Sequence, residues 1–493
     1  MVKIADTIIV GGGVSGFSCA LTLTRGGREC VIVEREPQML PLMRGFRRRG
    51  VRFDCGLHFA GGFREGEWGR RFLEYLGIAD DLEWEFCEEE CALQIRLGDD
   101  EYFFPTGWEV IADWLVSLNR GKEKELRKFV VDVRRVFERI PEIFMSKRRG
   151  QDVLLKGEGL ELLEERLAEF EDPVRSVLGV HSFLYGMRTV ETPWDYFCRV
   201  AGSYYQSNGF LRGGGARLAK VLCGAAEKRG IGLFAGEEVT SLRFCGGDAG
   251  WEVVCASGRV LRSREVVFTG HPRLLPDLLV GDGRNMQRFC RRLRRLHDGI
   301  SGWIAYGIIP KKEERGNKPV NLFYHPEKAI DWCETGTESL RERCFYLNIC
   351  EDAEERARKV TVIVPESLDA LRADGIDRDL DRGGYRRCCE EQAKEIEAYV
   401  EATAGDLLEG VEWVEFGSPF TMRRFLNTPY GSLYGIVHHL GTYTLLPTTP
   451  LPGLYMSGQN VVAPGLFGAL LSGILTGMTM KGENAEKEEL FHA

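Results

Sequence analysis

Three glycines near the start of the chain have the spacing of a dinucleotide-binding turn. Gly11, Gly13 and Gly16 form a Gly-x-Gly-x-x-Gly pattern directly after a short run of apolar, β-branched residues. The first glycine permits a tight turn, the second lets the backbone approach a pyrophosphate, and the third lets the helix pack on the strand. Glu34 lies eighteen residues after Gly16, where a carboxylate accepts hydrogen bonds from the adenosine ribose. It would repel a 2′-phosphate, so NADP is disfavoured at this site.

A β-α-β unit must position these residues. The sequence predicts a buried strand over Thr7–Val10 and a second strand over Cys30–Val33. Between them a helix is predicted to begin near Val14 and to end at Gly26 and Gly27. The positive N-terminal end of this helix would face the phosphates. The unit alone does not distinguish FAD from NAD.

Three later segments resemble the phytoene desaturase family of FAD enzymes. They read GVRFDCGLH at 50–58, FLRGGGARL at 210–218 and LPGLYMSGQNVVAPGLFGALLSG at 451–473. Within that family they are most similar to the branch of carotenoid isomerases and all-trans-retinol saturases, as is GSPFTMRRFLNTPYGSLYG at 417–435. One departure is PLMRGFRRRG at 41–50, where amine-oxidase-type flavoproteins carry a Gly-Gly-Arg run. This departure weakens an amine oxidase interpretation.

The resemblance implies an α/β fold with a Rossmann-like FAD-binding domain of the glutathione-reductase and amine-oxidase type. We expect this domain to be discontinuous, over residues 1–86, 209–279 and 414–482. A mixed α+β substrate domain is expected over 87–208 and 280–413, with a charged tail at 483–493. These two stretches are insertions into the FAD-binding domain, and the first insertion, 87–208, is expected to be mostly helical. The second is expected to contain strands at Trp303–Ile309 and Thr361–Val364 and a helix at Tyr385–Ala402.

The resemblance also implies which residues bind FAD. These are Gly11, Gly12, Gly13, Val14, Ser15, Gly16, Glu34, Arg35, Asp54, Gly56, Val239, Gly458, Gln459, Gly465, Leu466, Phe467 and Gly468. Independently of the resemblance, Gly465, Ala469, Gly473 and Gly477 lie four residues apart and leave one helix face nearly free of side chains. Such a face packs closely against either another backbone or a flat ring, and the spacing leaves both possibilities open.

Two histidines are the acid–base candidates. His58 ends the first resembling segment and His438 follows the YGSLYG stretch. A structural role is the alternative for each histidine, and orienting the local backbone is the alternative for Asp54. Four aromatic residues are expected to line an elongated apolar substrate pocket, with packing at a domain junction as the alternative: Tyr185, Trp194, Tyr205 and Tyr434.

Charge and cysteine usage limit the partners and the compartment. The net charge of −9 argues against nucleic acid as a partner. The fifteen cysteines are scattered and form no Cys-x-x-Cys pair, so we expect no metal site. Because the start does not read as a signal peptide, we expect reduced thiols in the cytoplasm.

Two segments bear on membrane contact. The uncharged run Leu440–Met480 is interrupted by four prolines, so we expect a strand, a loop and a helix there, not a membrane span. The basic run Arg284–Arg295 predicts a helix with Phe289, Leu293 and Leu296 on one face. That helix is expected either to be solvated or to make a peripheral contact with anionic lipid.

Together these features predict an FAD-dependent oxidoreductase that acts on carbon–carbon bonds of a long, apolar polyene or isoprenoid lipid. A hydride would pass between FAD and a substrate carbon. Only one complete dinucleotide unit is present, and FAD would occupy it. A quinone, oxygen or a separate reductase, rather than NAD(P)H, is therefore expected to exchange electrons with the flavin. One alternative is a flavin-dependent isomerase without net redox change. Another is a lipid-binding escort of the GDP-dissociation-inhibitor type, which the intact glycines and Glu34 disfavour.

Overall fold

A computed structural model describes residues 4–140, 161–310, 319–327, 332–333, 335, 342–351, 357–440, 442–482 and 490. The α-helices are α1 Val14–Arg25, α2 Pro41–Arg44, α3 Trp68–Leu76, α4 Trp108–Leu118, α5 Glu123–Glu138, α6 Leu163–Leu167, α7 Val174–Gly179, α8 Trp194–Gln206, α9 Gly214–Lys228, α10 Leu275–Leu278, α11 Arg284–Arg294, α12 Leu368–Ala373, α13 Arg382–Ala404, α14 Pro419–Leu426 and α15 Gly465–Lys481. The strands are β1 Ile4–Val10, β2 Cys30–Glu34, β3 Phe46–Arg48, β4 Val51–Phe53, β5 Ala60–Gly61, β6 Trp84–Phe86, β7 Leu93–Leu97, β8 Asp100–Phe104, β9 Asn208–Leu211, β10 Gly232–Ala235, β11 Val239–Gly246, β12 Gly250–Cys255, β13 Val260–Phe268, β14 Leu279–Val280, β15 Ser301–Pro310, β16 Val320–His325, β17 Phe345–Glu351, β18 Ala357–Glu366, β19 Glu412–Gly417 and β20 Leu454–Met456.

The first sheet carries the N-terminal β-α-β unit. Its strand order is β10-β2-β1-β13-β12-β11-β14, and β20 pairs with the end of β13. Strands β10, β2, β1, β13 and β20 are parallel, so their carboxyl ends lie at one edge of the sheet. All five residues of β2 are buried, as is typical of a parallel sheet covered on both faces. Ligands of open α/β sheets bind beyond such an edge, which is where the predicted cofactor residues lie.

A second sheet combines two distant parts of the chain. Its order is β19-β15-β18-β17-β16-β7-β8, antiparallel except for the parallel pair β16 and β7. The predicted strands at 303–309 and 361–364 lie within β15 and β18, and the predicted helix at 385–402 lies within α13. Residues 414–417, which the prediction assigns to the FAD domain, lie in this second sheet because β19 pairs with β15.

The first insertion is mostly helical in its described part, with α4 to α8, and it also contributes β7 and β8 to the second sheet. The tail predicted at 483–493 lies outside the described residues except for Leu490. The glycine run at 213–215 follows strand β9. This strand pairs antiparallel with β5 and β6, outside the parallel sheet.

Helix α15 packs directly against α1. A Cβ atom added to Gly473 would lie 2.4 Å from the Ser15 carbonyl oxygen, and one added to Gly477 would lie 2.7 Å from Thr22 Cβ. This part of the side-chain-free face therefore meets another backbone. The run 440–480 forms the predicted strand (β20), loop and helix (α15). Among the described residues no helix is long and apolar enough to cross a bilayer.

Candidate cofactor and substrate site

The three glycines between β1 and α1 occupy three different environments. Gly11 has a φ of +113°, and a Cβ there would lie 2.2 Å from Thr269 Oγ1. A Cβ on Gly16 would lie 2.4 Å from the Gly11 carbonyl oxygen, so helix and strand touch at this point. Gly13 differs, because no atom lies within 4 Å of the position of its missing Cβ. Its backbone is therefore open to a ligand at the N-terminus of α1.

Glu34 is held in place at the end of β2. One carboxylate oxygen accepts a hydrogen bond from the Gly12 N–H at 2.7 Å, and the other accepts one from the Glu36 N–H at 2.8 Å. The side chain is buried. Val14 and Ser15, in the first turn of α1, are buried beside it. A fixed carboxylate next to the open Gly13 turn is the arrangement that a ribose and its pyrophosphate require.

The C-terminal segment approaches the same edge of the sheet. Gly458 follows β20 with a φ of +117°, and its N–H donates to Ser472 Oγ at 2.8 Å. A Cβ on Gly458 would lie 3.4 Å from Ser15 Oγ. Gly465 begins α15 with a φ of +80° and with no atom within 4 Å of its missing Cβ. The segment between β20 and α15 thus reaches the first turn of α1.

The other residues of α15 named by the resemblance mainly pack. Leu466 is buried, and a Cβ on Gly468 would lie 2.1 Å from the Ala463 carbonyl oxygen. The ring of Phe467 lies 5.2 Å from that of Phe72 and 6.5 Å from that of Phe63.

Arg35 and Gly56 lie in the loops that follow β2 and β4, and Val239 begins β11. The Arg35 guanidinium binds the Glu36 carboxylate at 2.6 Å. A Cβ on Gly56 would lie 2.5 Å from Met43 Cε. Val239 is buried at the start of β11, two residues after Glu237, whose N–H donates to the Glu34 carbonyl oxygen at 2.9 Å. Val239 is thus placed near the end of β2 that carries the ribose carboxylate.

Asp54, which follows β4, binds the second sheet through a buried ion pair. Its Oδ2 accepts a hydrogen bond from Lys359 Nζ at 2.9 Å, and its Oδ1 accepts one from the Gly215 N–H at the start of α9, also at 2.9 Å. Both side chains of the pair are buried. Lys359 lies on β18 of the second sheet and was not predicted as a site residue. Asp54 therefore binds the backbone at the start of α9, and its assignment to FAD binding stays a prediction.

His58 lies close to this ion pair. Burial lowers its pKa to about 4, the Asp54 carboxylate raises it in part, and the Lys359 ammonium lowers it further. The imidazole ring lies 6.1 Å from the ring of Tyr346, centroid to centroid. His58 is thus a neutral ring at pH 7, at one edge of a group of aromatic side chains.

His438 lies beside a second aromatic group. Its ring stacks on that of Tyr196 at 5.0 Å, and Tyr196 contacts Tyr185 edge to face at 5.5 Å. Burial lowers the pKa of His438 to about 4, although a hydrogen bond to the Gln459 backbone partly opposes this. Its Nε2 is buried and has no hydrogen-bond partner in the part of the chain that the structure describes. That nitrogen is available to a ligand.

Tyrosines and phenylalanines occupy the space between the two histidines. Phe59 contacts both Tyr204, at 5.3 Å, and Tyr346, at 5.9 Å. Burial raises the pKa of Tyr346, and the nearby phenols of Tyr204 and Tyr434 raise it further, so these three side chains lie near one another. Tyr434 packs on Gly186, where an added Cβ would lie 2.5 Å from its ring. The structure thus brings Tyr185 and Tyr434 into the neighbourhood of His58 and His438.

Trp194 and Tyr205 have mainly packing contacts. Trp194 lies against Phe129 at 5.1 Å and under the Arg166 guanidinium at 5.0 Å, within the helical insertion. Tyr205 is fully buried against Phe104 at 5.5 Å and Trp108 at 5.9 Å. These contacts favour the alternative of packing at a domain junction for both residues.

Comparison with known proteins identifies the family. Residues 6–292 match the family model described as FAD dependent oxidoreductase. The chain belongs to the FAD-dependent oxidoreductase family. It is also similar to the all-trans-retinol 13,14-reductase of Danio rerio, with 23% identity over 98% of this chain and 87% of that protein. The predicted resemblance to the retinol saturase branch is confirmed.

Solved structures agree on the fold. An oxidoreductase from Methanosarcina mazei superimposes with a TM-score of 0.66 at 12% identity, over 98% of this chain and all of that chain. Putrescine oxidase bound to putrescine superimposes with a TM-score of 0.64 at 14% identity, over 98% of this chain and 100% of that chain. The predicted fold class is confirmed, and FAD is the cofactor.

The residues present fit this cofactor. The open backbone at Gly13 and the buried Glu34 carboxylate lie at the carboxyl ends of β1 and β2, and the exposed Gly465 begins α15 after β20 of the same sheet.

Proposed function

We propose that this family member saturates a carbon–carbon double bond of a long, apolar polyene of the retinoid class. The observation that carries the proposal is the similarity to an all-trans-retinol 13,14-reductase over 98% of the chain. When bound, FAD supplies hydride transfer. The protein's own residues would position the polyene, exclude water and manage the proton that must accompany the hydride.

The aromatic residues support an apolar, elongated substrate. Tyr185, Tyr346 and Tyr434 each have a pKa that burial raises above the usual value for a phenol. They therefore remain neutral, and their rings offer a flat apolar surface to conjugated carbons. A charged or strongly polar substrate would find little compensation here for its lost hydration.

His438 is the residue best placed to handle a proton. Its buried Nε2 has no partner among the described residues, and its pKa of about 4 keeps the imidazole neutral at pH 7. A neutral imidazole carries one donor and one acceptor nitrogen, so it can pass a proton between its two sides. We propose that His438 relays the proton and that His58 orients the opposite end of the site.

The test uses the purified protein with bound FAD, reduced chemically without oxygen and mixed with all-trans-retinol. We expect reoxidation of the flavin and a product heavier by two hydrogen atoms in mass spectrometry. The variant His438→Gln should lower the rate on the order of 10²-fold, the usual contribution of general acid–base catalysis. Its control is His439→Gln, since His439 lies next in sequence and its imidazole contacts the neighbouring Leu440 carbonyl oxygen.

Other outcomes distinguish the alternatives. A product of unchanged mass with a moved or isomerised double bond would identify an isomerase. Retinol that remains unchanged but co-purifies with colourless protein would identify an escort. Equal rates for the two histidine variants would contradict the relay and leave the saturase activity intact.

We propose a quinone, oxygen or a separate reductase as the electron partner, because the second glycine run does not form a nucleotide site. A Cβ on Gly214 would lie 2.5 Å from the Asp54 carboxylate, and one on Gly215 would lie 2.4 Å from the Met43 carbonyl oxygen. The N-terminus of α9 is thus occupied by an aspartate, which would repel a pyrophosphate.

We also propose a peripheral contact with anionic membranes through α11. Phe289, Leu293 and Leu296 are buried in the protein, so the contact would be electrostatic and not an insertion of this face into lipid. The Arg292 guanidinium lies 5.2 Å from the ring of Tyr443, in the loop that follows His438. A membrane bound at α11 would therefore lie beside the substrate site. Binding to vesicles containing phosphatidylglycerol, weakened by salt and absent for pure phosphatidylcholine, would support this contact.

A further inference from the structure

A cleft of about 550 Å³ lies between α11 and the chain that precedes it. This volume is within the range of small-ligand sites. Arg291, Arg294 and Arg295 line the cleft, together with the apolar atoms of Pro276 and Met286. Among the described residues, no aspartate or glutamate lines it.

The arginines of the cleft are largely without acidic partners. Arg294 binds Asp277 at 2.9 Å, and both side chains are more than half exposed, so water screens this pair. Arg291 and Arg295 have no ion-pair partner in the described ranges of the chain. The cleft therefore has an excess of positive charge that a ligand with several negative oxygens would neutralise.

Guanidinium groups bind phosphate oxygens through paired N–H donors in a fixed planar arrangement. Three guanidiniums around one cleft can engage the three terminal oxygens of a phosphomonoester, whereas a phosphodiester offers fewer oxygens and is covered by its second ester group. The apolar atoms of Pro276 and Met286 lie beside the arginines, where the glycerol carbons of a lipid would pack.

We propose that this cleft binds the phosphomonoester headgroup of a single membrane lipid. The inference rests on the proposed membrane contact and deepens it, because it replaces diffuse attraction by a defined site. A lipid held there would fix the orientation of the protein on the bilayer, with the loop that carries His438 and Tyr443 turned towards the lipid.

The test compares vesicles of phosphatidylcholine containing phosphatidic acid with vesicles containing phosphatidylglycerol, adjusted to equal surface potential. The full-length protein with bound FAD should bind the phosphatidic acid vesicles about tenfold more tightly, the value of one charge-assisted hydrogen bond. The variant Arg291→Glu/Arg295→Glu should lose this preference.

The same helix provides a control of equal charge. Arg284 and Arg288 do not line the cleft, so Arg284→Glu/Arg288→Glu should weaken binding to both vesicles and keep the tenfold preference. Equal affinity of the wild type for the two kinds of vesicle would overturn the site while leaving the diffuse contact intact. Equal loss of the preference in the two double variants would do the same. Inorganic phosphate that binds the cleft while the vesicles show no preference would also overturn it. Reduction of retinol in detergent, without vesicles, tests the proposed enzymatic activity separately.

Discussion

Gly13 is the residue at which backbone and cofactor requirements coincide most directly. Its missing Cβ faces open space, although its neighbours Gly11 and Gly16 are confined by surrounding atoms. The variant Gly13→Leu should abolish FAD binding, because the side chain would occupy the place of the pyrophosphate. The measurement is the flavin absorbance per protein after saturation with FAD. Gly224→Leu is the control, since Gly224 also faces open space but lies within α9. Wild-type flavin content in Gly13→Leu would contradict the assignment.

The Asp54–Lys359 pair should be costly to break from one side. Removing one partner of a buried ion pair leaves an uncompensated charge, which costs about 3–5 kcal/mol. Lys359→Met should lower the free energy of unfolding by this amount, measured in urea, and adding Asp54→Asn should restore part of it. The control is Arg134→Met, because Arg134 forms an exposed pair with Glu138, which contributes about 0–1 kcal/mol. A similar loss in the free energy of unfolding for both methionine variants would show that the buried pair contributes no more than the exposed one.

Buried histidines should make folding sensitive to acid. Burial lowers the pKa of His181 from the ordinary 6.5 to about 3. Between these values the unfolded chain binds a proton that the folded chain does not, so stability is present above pH 6.5 and is lost as pH falls towards 3. The contribution is about 1 kcal/mol per pH unit below pH 6. The free energy of unfolding of His181→Phe, measured in urea at about pH 7, 6 and 5 to span this window, should fall less with decreasing pH than that of wild type. His439→Gln should keep the wild-type slope.

Single residues differ in how far the sequence predicts them. The glycine turn and Glu34 could be predicted because their roles depend on neighbours within one β-α-β unit. Lys359 could not, since β18 is buried on both faces and its partner Asp54 is about three hundred residues away. Ser472, which binds the Gly458 N–H, also has its role set by the contact between two separate elements.

At the scale of elements, α15 packs on α1 through glycines. Gly473, in the third turn of α15, meets the Ser15 carbonyl oxygen in the first turn of α1, and Gly477 meets Thr22. Gly473→Ala should therefore push the helices apart, lower the free energy of unfolding by about 1–3 kcal/mol through overpacking and weaken FAD binding. Gly224→Ala, also within a helix but in open space, should be neutral or stabilising by up to about 1 kcal/mol. Unchanged FAD affinity in Gly473→Ala would separate this contact from the site.

The elements themselves were predicted unevenly. Strands β1, β2, β15 and β18 and helices α1 and α13 follow from local periodicity and glycine stops. The pairing of β7 with β16 joins residues more than two hundred positions apart, and local patterns carry no information about such pairing. For this reason the second sheet, and the place of β19 within it, became visible only in the folded chain.

At the scale of the whole molecule, the hairpin β3–β4 and the residue that follows it contact the second sheet. Besides Asp54–Lys359, the hairpin binds β19 through the pairs Arg48–Glu415 and Arg49–Glu412. Arg48 and Arg49 belong to PLMRGFRRRG, where the chain departs from amine-oxidase-type flavoproteins. The departure thus has a structural counterpart, since the basic hairpin binds the second sheet by ion pairs.

The source of electrons is also a property of the whole molecule. In our proposal the Gly11–Glu34 unit holds FAD, and Asp54 fills the N-terminus of α9, a second glycine-rich helix start. An aromatic substrate site offers little to the charged pyrophosphate of NADH. We therefore expect no rapid reduction when the oxidised protein is mixed anaerobically with NADH or NADPH. The readout is the flavin absorbance at about 450 nm, which arises from the ring of the cofactor itself. Chemical reduction with dithionite in the same cell serves as the control and should bleach the band completely.

Rapid, saturable bleaching by either nucleotide would contradict this expectation and identify a nicotinamide-driven reductase. In that case Asp54→Asn should strengthen the response if the nucleotide uses α9, and should leave it unchanged if it uses the aromatic site.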